Sequence, residues 1–212
     1  MYSTAFRFFL VAAFSSLCLA QTWELGVEGG YGWYSNPSLI NPPDSGRAGF
    51  PPRAAVGVVF GEDLYNHLGG EVRWLFRFGG PQLQLNGITE SALGYTNTVT
   101  YDFLFHMTPR ESKIRPFVAA GAGIKVYTGS FRDVNQPLAN FAVLRPVTQV
   151  EPALSVGTGV KYLLPKHIQL RVDFRVLMTP LPDELIRPTR PLTRIHGWVY
   201  DFLPLAGVSY IF

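Results

Sequence analysis

The feature that most constrains this chain is a strict alternation of apolar residues with polar or very small ones. From Trp23 to Trp33 every second residue is apolar, aromatic or glycine, and only glutamate and glycine lie between them. Successive side chains of a β-strand point to opposite faces, so this pattern predicts a strand with two different faces. Eight segments alternate in this way, and no segment beyond residue 20 has apolar residues at helical spacing. The predicted strands are residues 23–33, 54–60, 68–78, 93–107, 118–127, 153–162, 168–178 and 198–212.

The connections between these segments alternate in length. The short ones are residues 61–67, 108–113 and 164–167, and the long ones are residues 35–53, 79–92, 129–146 and 180–196. Twelve of the 17 prolines lie in the long connections, where a missing N–H breaks no sheet hydrogen bond. Long loops at one end and short turns at the other are typical of an antiparallel barrel that spans a membrane.

Two closed barrels fit the alternation, and they differ in the solvent that each face meets. A soluble, lipocalin-like barrel would bury the apolar face, whereas a membrane barrel would turn it toward lipid and fill its interior with the polar face. Only 16% of the residues are charged, against about 25% in soluble chains, and the polar face is rich in glycine. Large aromatic residues also cluster near both ends of the apolar face. We therefore expect a membrane barrel, closed by pairing the eighth strand with the first.

The N-terminus has the three parts of a secretory signal. Residues 1–7 carry one positive charge, an apolar stretch follows, and Cys18 and Ala20 are small residues at a cleavage site. We predict a cleaved signal peptide at residues 1–20 and one barrel domain at residues 21–212, which would contain no cysteine. One alternative is a membrane helix, but the stretch is shorter than the about 20 residues that a span needs. The other alternative is lipidation of Cys18, to which the bulky Leu17 is poorly suited.

Three segments carry a resemblance to bacterial outer-membrane barrels of the OmpA/OmpX-like type. Residues 207–212 (GVSYIF) resemble the C-terminal strand signal of that superfamily, 115–123 (RPFVAAGAG) its Gly-rich fifth strand, and 170–175 (LRVDFR) its seventh. The resemblance implies an all-β, eight-stranded antiparallel transmembrane barrel with short periplasmic turns and long extracellular loops. It implies an outer-membrane location, among lipid and lipopolysaccharide. It also implies that the barrel assembly machinery reads Tyr210 and Phe212 as an assembly signal.

Thirteen charged residues fall on the polar face of the predicted strands. Seven acids face six bases, and because buried charges must be paired, this near-balance predicts an ion-pair network that fills the lumen. The alternative is a narrow charged conduit, although a selective pore would present a ring of one sign. The predicted network consists of Glu24, Glu28, Glu71, Arg73, Arg77, Asp102, Lys125, Glu151, Lys161, Arg171, Asp173, Arg175 and Asp201.

The sequence contains no motif for catalysis, a cofactor or a metal. The four histidines have no metal-ligand spacing, the His-x-Ser pairing of barrel lipid A deacylases is absent, and no phosphate loop or cofactor fingerprint occurs. The net charge is only +3 and no basic run occurs, so nucleic acid is not an expected partner.

We therefore predict a monomeric, non-enzymatic outer-membrane barrel with a structural or interaction role, whose loops are displayed at the cell surface. The alternatives are a small low-conductance pore and a lipid-modifying barrel enzyme. Candidate contacts to lipopolysaccharide headgroups are Arg187, Arg190 and Arg194, although charges in a solvated loop would look the same. Pro152 and Pro204 interrupt the strand patterns and predict bulges.

Overall fold

The computed structural model describes residues 22–35, 38–41, 44–130, 137–140, 142–189 and 197–212. The predicted signal peptide at residues 1–20 lies outside the described residues. None of the described residues belongs to a helix long and apolar enough to cross a membrane. The strands of the described part are β1 Thr22–Ser35, β2 Ser38–Asn41, β3 Asp44–Gly49, β4 Arg53–Asp63, β5 Leu68–Phe78, β6 Gln82–Leu85, β7 Ile88–Ser91, β8 Gly94–His106, β9 Ile114–Gly129, β10 Ala142–Leu144, β11 Thr148–Leu163, β12 Ile168–Pro180, β13 Ile186–Pro188 and β14 Trp198–Ile211.

Eight long strands form a closed antiparallel barrel. Their order around the barrel is β1-β14-β12-β11-β9-β8-β5-β4, and β14 pairs with β1 to close the sheet, as predicted. Each of the eight predicted segments coincides with one of these strands. We call the end that carries the long connections the upper end, and the end that carries the short turns the lower end.

The predicted bulges at Pro152 and Pro204 are absent. Pro152 pairs with Ile124, and Pro204 with Phe174, in ladders whose register is the same on both sides of each proline. The ladder between β11 and β12 begins only at Leu154, and the ladder between β14 and β1 is interrupted opposite Pro204. Each proline therefore lies where one neighbouring ladder is missing, and its lack of an N–H does not shift the register.

The exterior of the barrel is apolar, and its interior is charged. Val27, Phe103 and Val172 are about 60% exposed on the outer face, whereas Arg73 and Arg175 are at most 1% exposed. A soluble barrel would place these groups the other way round, because a continuous exposed apolar surface of this kind is unfavourable in water. The lipid-facing orientation of the predicted apolar face is therefore confirmed, and the lipocalin-like alternative is wrong.

The long connections are folded, which the alternation did not predict. Four short strands form a sheet in the order β2-β3-β6-β7, and β10 pairs with β13. We call these six strands and the residues packed between them the loop cap. Its apolar core draws on all four long connections and the start of β14, and consists of Ala48, Leu83, Ala92, Leu138, Ala142, Leu144, Leu181, Ile186 and Val199.

Candidate functional site

A buried network of ion pairs occupies the lumen, with the Glu71 carboxylate at its centre. Glu71 Oε1 lies 2.6 Å from Arg73 Nη2 and 2.6 Å from Arg175 Nη2. Glu71 Oε2 lies 3.0 Å from Arg171 Nη2. β5 carries Glu71 and Arg73, and β12 carries the other two arginines from the opposite wall of the barrel. The alternation of each strand turns all four side chains inward, where they meet across the lumen.

Two further carboxylates enclose Arg73. Asp173 Oδ2 lies 2.7 Å from Arg73 Nη2 and also 2.7 Å from Arg171 Nη2. Glu28, on β1, forms an ion pair with Arg73 Nη1. Arg73 therefore contacts Glu28, Glu71 and Asp173 at once, so that its buried charge is fully compensated.

The network extends toward the lower end through Glu24. Its carboxylate lies 2.5 Å from Lys161 Nζ and 3.1 Å from Arg171 Nη1, and it accepts a hydrogen bond of 2.7 Å from the Ser209 hydroxyl. Lys161 and Ser209 are 4% and 3% exposed. Glu24 thus links β1, the first strand, to β11, β12 and β14, which lie in the last third of the chain.

A second, smaller charged group lies nearer the upper end. Asp201 Oδ2 lies 2.8 Å from Lys125 Nζ, and the other carboxylate oxygen pairs with Arg77. The Arg77 guanidinium lies 4.0 Å above the centre of the Tyr34 ring, and Lys125 Nζ donates a hydrogen bond of 3.3 Å to the Tyr34 hydroxyl. Tyr34 therefore shares the two positive charges of this group with Asp201.

An apolar layer separates the two charged groups. Along β5, Leu75 lies between Arg77 of the upper group and Arg73 of the lower one, and along β14 Leu203 lies two residues beyond Asp201. The buried residues of the layer are Ala55, Leu75, Leu177, Leu203 and Leu205. In the described part of the chain, the lumen is therefore filled by two sets of paired charges with hydrocarbon between them.

The predicted lumen residues lie where the alternation placed them, with one difference. Twelve of the thirteen are buried in the barrel, and Asp102 adds a contact of 3.5 Å to Arg175 Nη1. Glu151 is only partly buried near the upper end, where its carboxylate accepts a hydrogen bond of 2.6 Å from Gln149 Nε2. It belongs to neither charged group.

The other predicted residues are at the two ends of the molecule. Arg187 is exposed on β13 of the loop cap, while Arg190 and Arg194 lie outside the described residues. Tyr210 and Phe212 face outward at the lower end, with ring centres 6.4 Å apart. Both rings are therefore accessible on the outer surface of the last strand.

Three inward-facing aromatic residues lie beside the charged groups, and no role in the lumen was predicted for them. Phe117 lies with its ring centre 5.7–5.9 Å from the charged groups of Lys161, Arg171 and Arg175. Tyr127 stacks on Phe50 of the first long connection, and its hydroxyl lies 2.5 Å from Thr179 Oγ1. Tyr34 joins the upper charged group. All three occupy inward positions of the alternation, so the position along the strand was the available signal.

The acids among the described side chains are not grouped as metal ligands. No three His, Cys, Asp or Glu residues among them are arranged to hold a metal ion. The acids of the lumen form ion pairs with arginine and lysine side chains, and these pairs fill the interior of the barrel.

Comparison with known proteins finds similarity in structure only. The Neisserial surface protein A structure superposes with a TM-score of 0.58 at 13% identity, covering 89% of this chain and 96% of that one. OprG from Pseudomonas aeruginosa gives 0.56 at 14% identity, covering 89% and 95%. A major outer membrane protein from Thermus thermophilus gives 0.52 at 16% identity, covering 90% and 99%. No family model and no curated protein sequence matches the chain. The structural likeness confirms the predicted eight-stranded outer-membrane barrel fold.

Proposed function

We propose that this chain is a non-enzymatic outer-membrane protein that displays the loop cap at the cell surface as an interaction surface. The observation that carries the proposal is the contrast between a lumen filled with paired charges and four long connections that fold together. A chain that only needed to close its barrel could join its strands with short turns, as it does at the lower end. The folded cap is the part of the chain that the barrel does not require.

Planar-bilayer recording tests the first half of the proposal, namely that the lumen does not conduct. We expect the folded protein to insert without steady open states, because two charged groups and an apolar layer occupy the lumen. Steady single-channel openings in the unmutated protein would favour the small-pore alternative instead. Incubation with lipid A tests the enzyme alternative, and we expect no modified product.

Cysteine labelling tests the second half, namely that the cap faces outward. Arg187→Cys places a thiol on the exposed part of the cap, and Lys113→Cys places one in a short turn at the opposite end. In intact cells a membrane-impermeant maleimide should label only Arg187→Cys, and Lys113→Cys should react after the outer membrane is permeabilised. The unmutated protein should not react, because Cys18 is removed with the predicted signal peptide. Labelling of Lys113→Cys alone in intact cells would reverse the proposed orientation.

Lipopolysaccharide is the surface partner that we propose for the predicted arginine cluster, with the barrel acting as a monomer. Arg187 is exposed in the cap, which is compatible with contact to anionic headgroups. Replacing Arg187, Arg190 and Arg194 with glutamine should weaken co-purification of lipopolysaccharide with the barrel. Replacing the exposed lower-end residues Lys113 and Lys166 with glutamine is the control and should leave it unchanged.

Assembly at the outer membrane depends, in this proposal, on the last residue. One ring at the membrane interface contributes at most a few kcal/mol of burial. Deleting Phe212 should therefore reduce the amount that reaches the outer membrane far more than it lowers the unfolding temperature of the protein that assembles. Phe103→Ala, which removes another lipid-facing ring, is the control. Normal outer-membrane levels after the deletion would contradict the recognition role.

A further inference from the structure

A cavity of about 140 Å³ lies at the lower end of the barrel, below the charge network. We call it the vestibule, and its polar wall is formed by Asp63, Arg110, Arg115, Lys161, His167 and Gln169. One water occupies about 30 Å³ in the liquid, so the vestibule can hold several waters or one small polyatomic ion. It is separate from the loop cap and lies at the opposite end of the molecule.

Positive charge exceeds negative charge on the wall of the vestibule. Arg110, Arg115 and Lys161 face a single wall carboxylate, Asp63. Arg115 Nη1 lies 2.6 Å from Asp63 Oδ2, and Arg110 Nε lies 4.0 Å from the same oxygen. Lys161 pairs with Glu24, which lies deeper and already contacts an arginine of the network. The wall is therefore complementary to an anion.

Arg115 also has hydrogen-bond donors to spare. The residue is only 5% exposed, and its Nε and Nη2 atoms have no hydrogen-bond partner among the described residues. Those two nitrogens lie on one edge of the guanidinium, the edge that binds a carboxylate or phosphate through two parallel hydrogen bonds. Buried donors without an acceptor are unfavourable, so a ligand with paired oxygens would stabilise this side chain.

We propose that the vestibule is a binding site for a phosphate-type oxyanion, held by the Nε and Nη2 edge of Arg115 and by Arg110. Two sources share this chemistry: free phosphate, and the phosphate of an anionic lipid headgroup in the leaflet around the lower end. The vestibule adds a ligand site on the side of the barrel that the cap does not reach, and it does not depend on what the cap binds.

The direct test is NMR of the arginine side chains, with the full-length mature protein in nanodiscs of a zwitterionic phospholipid. Inorganic phosphate should shift the Arg115 Nε signal in a saturable way, and chloride at matched ionic strength should not. In nanodiscs containing phosphatidylglycerol, a lipid ligand would shift the signal before phosphate is added and block the titration. A soluble ligand would titrate equally in both membranes.

Variants locate the site. Arg115→Lys keeps the charge but loses the paired edge, and should weaken phosphate binding about tenfold, equivalent to about 1.4 kcal/mol. Arg110→Gln should weaken it by a smaller factor. Lys113→Gln removes an exposed charge from the same turn as Arg110 without touching the vestibule wall and should leave binding unchanged.

Heat-dependent gel mobility establishes that each variant is folded. If Arg115→Lys does not fold, the Arg115 signal of the unmutated protein and the pair of turn variants still decide the question. The proposal is wrong if the Arg115 signal shows no saturable response in either membrane. It is also wrong if chloride reproduces the response, or if Lys113→Gln weakens binding as much as Arg110→Gln.

Discussion

The barrel lumen and the loop cap are two interiors of the same chain, and the side chains buried in them are opposite in polarity. The lumen buries arginine, lysine, glutamate and aspartate, with Arg73, Arg171 and Arg175 among the largest fully buried side chains. The cap buries alanine, leucine, isoleucine and valine. The two interiors meet at Tyr34, which contacts the upper charged group on one side and the apolar residues of the cap on the other.

The difference follows from the solvent outside each interior. Around the barrel the solvent is hydrocarbon, so apolar side chains gain nothing by turning inward, and the strands leave their polar face to fill the lumen. Above the membrane the solvent is water, so the cap follows the ordinary rule and buries its apolar residues. The side chains that are buried are therefore opposite in kind on the two sides of the membrane surface.

The largest expected effect comes from removing the central carboxylate of the lumen. Glu71→Gln removes the carboxylate that Arg73, Arg171 and Arg175 share. It leaves Arg175 only the longer contacts to Asp102 and Asp173, at 3.5 and 3.9 Å, which should cost about 3–5 kcal/mol. Denaturant unfolding in detergent or lipid measures the loss of stability. We expect the same direction for Arg73→Ala and Arg171→Ala, and no steady conductance in any of the three variants.

Glu151→Gln is the matched control for Glu71→Gln. The chemical change is identical, but Glu151 is only partly buried, and the new side chain can keep the contact with Gln149. Glu151→Gln should therefore lower the free energy of unfolding by less than about 1 kcal/mol. Equal losses for the two variants would show that the paired charges do not stabilise the lumen more than an ordinary surface contact does.

A smaller and more local effect is expected in the cap. Leu144 is 1% exposed in the apolar core, and Leu144→Ala should destabilise the cap by about 2–3 kcal/mol, because its small neighbours can only partly fill the space. Limited proteolysis should cleave the long connections faster, while the heat-dependent gel shift of the barrel stays unchanged. Leu93→Ala, at a position 74% exposed, is the control. A barrel that melts together with the cap would mean that the two interiors form one cooperative unit.

The smallest effect concerns the pH dependence of the cap. Glu90 is 4% exposed, accepts a hydrogen bond of 3.2 Å from the Leu138 backbone N–H, and has its carboxyl pKa raised by burial. Because its pKa is raised in the folded state, the Glu90 carboxyl makes its full contribution to the stability of the cap at acid pH, where it is protonated. This contribution is lost as the pH rises through that folded-state pKa. The cap should therefore resist proteolysis better at mildly acidic pH than at neutral pH.

Glu90→Gln should remove this pH dependence and protect the cap at neutral pH, because the amide oxygen can still accept the bond from Leu138. Glu184→Gln changes an exposed acid of the same region and is the control. Hydrogen exchange at the Leu138 amide, followed against pH in the three proteins, measures the effect. An unchanged pH profile in Glu90→Gln would assign the dependence to another group.

Much of the barrel could be predicted from the sequence because the alternation is a local property. A residue such as Arg73 is placed on the inner face by its own strand alone, and its burial follows once the outer solvent is lipid. The number of strands, their faces and the set of inward charges therefore followed from the printed residues. The partners of those charges did not: Glu24 and Lys161 are 137 residues apart in the chain.

Only the tertiary structure decided which inward residues meet, because contacts across the lumen depend on how the strands tilt and stagger when the sheet closes. The same closure produced the apolar layer around Leu75 and the spare donors of Arg115 in the vestibule. The cap also escaped prediction, since strands of three to six residues are too short to show a period. Alternation determines which way a side chain points, and closure of the sheet determines what it reaches.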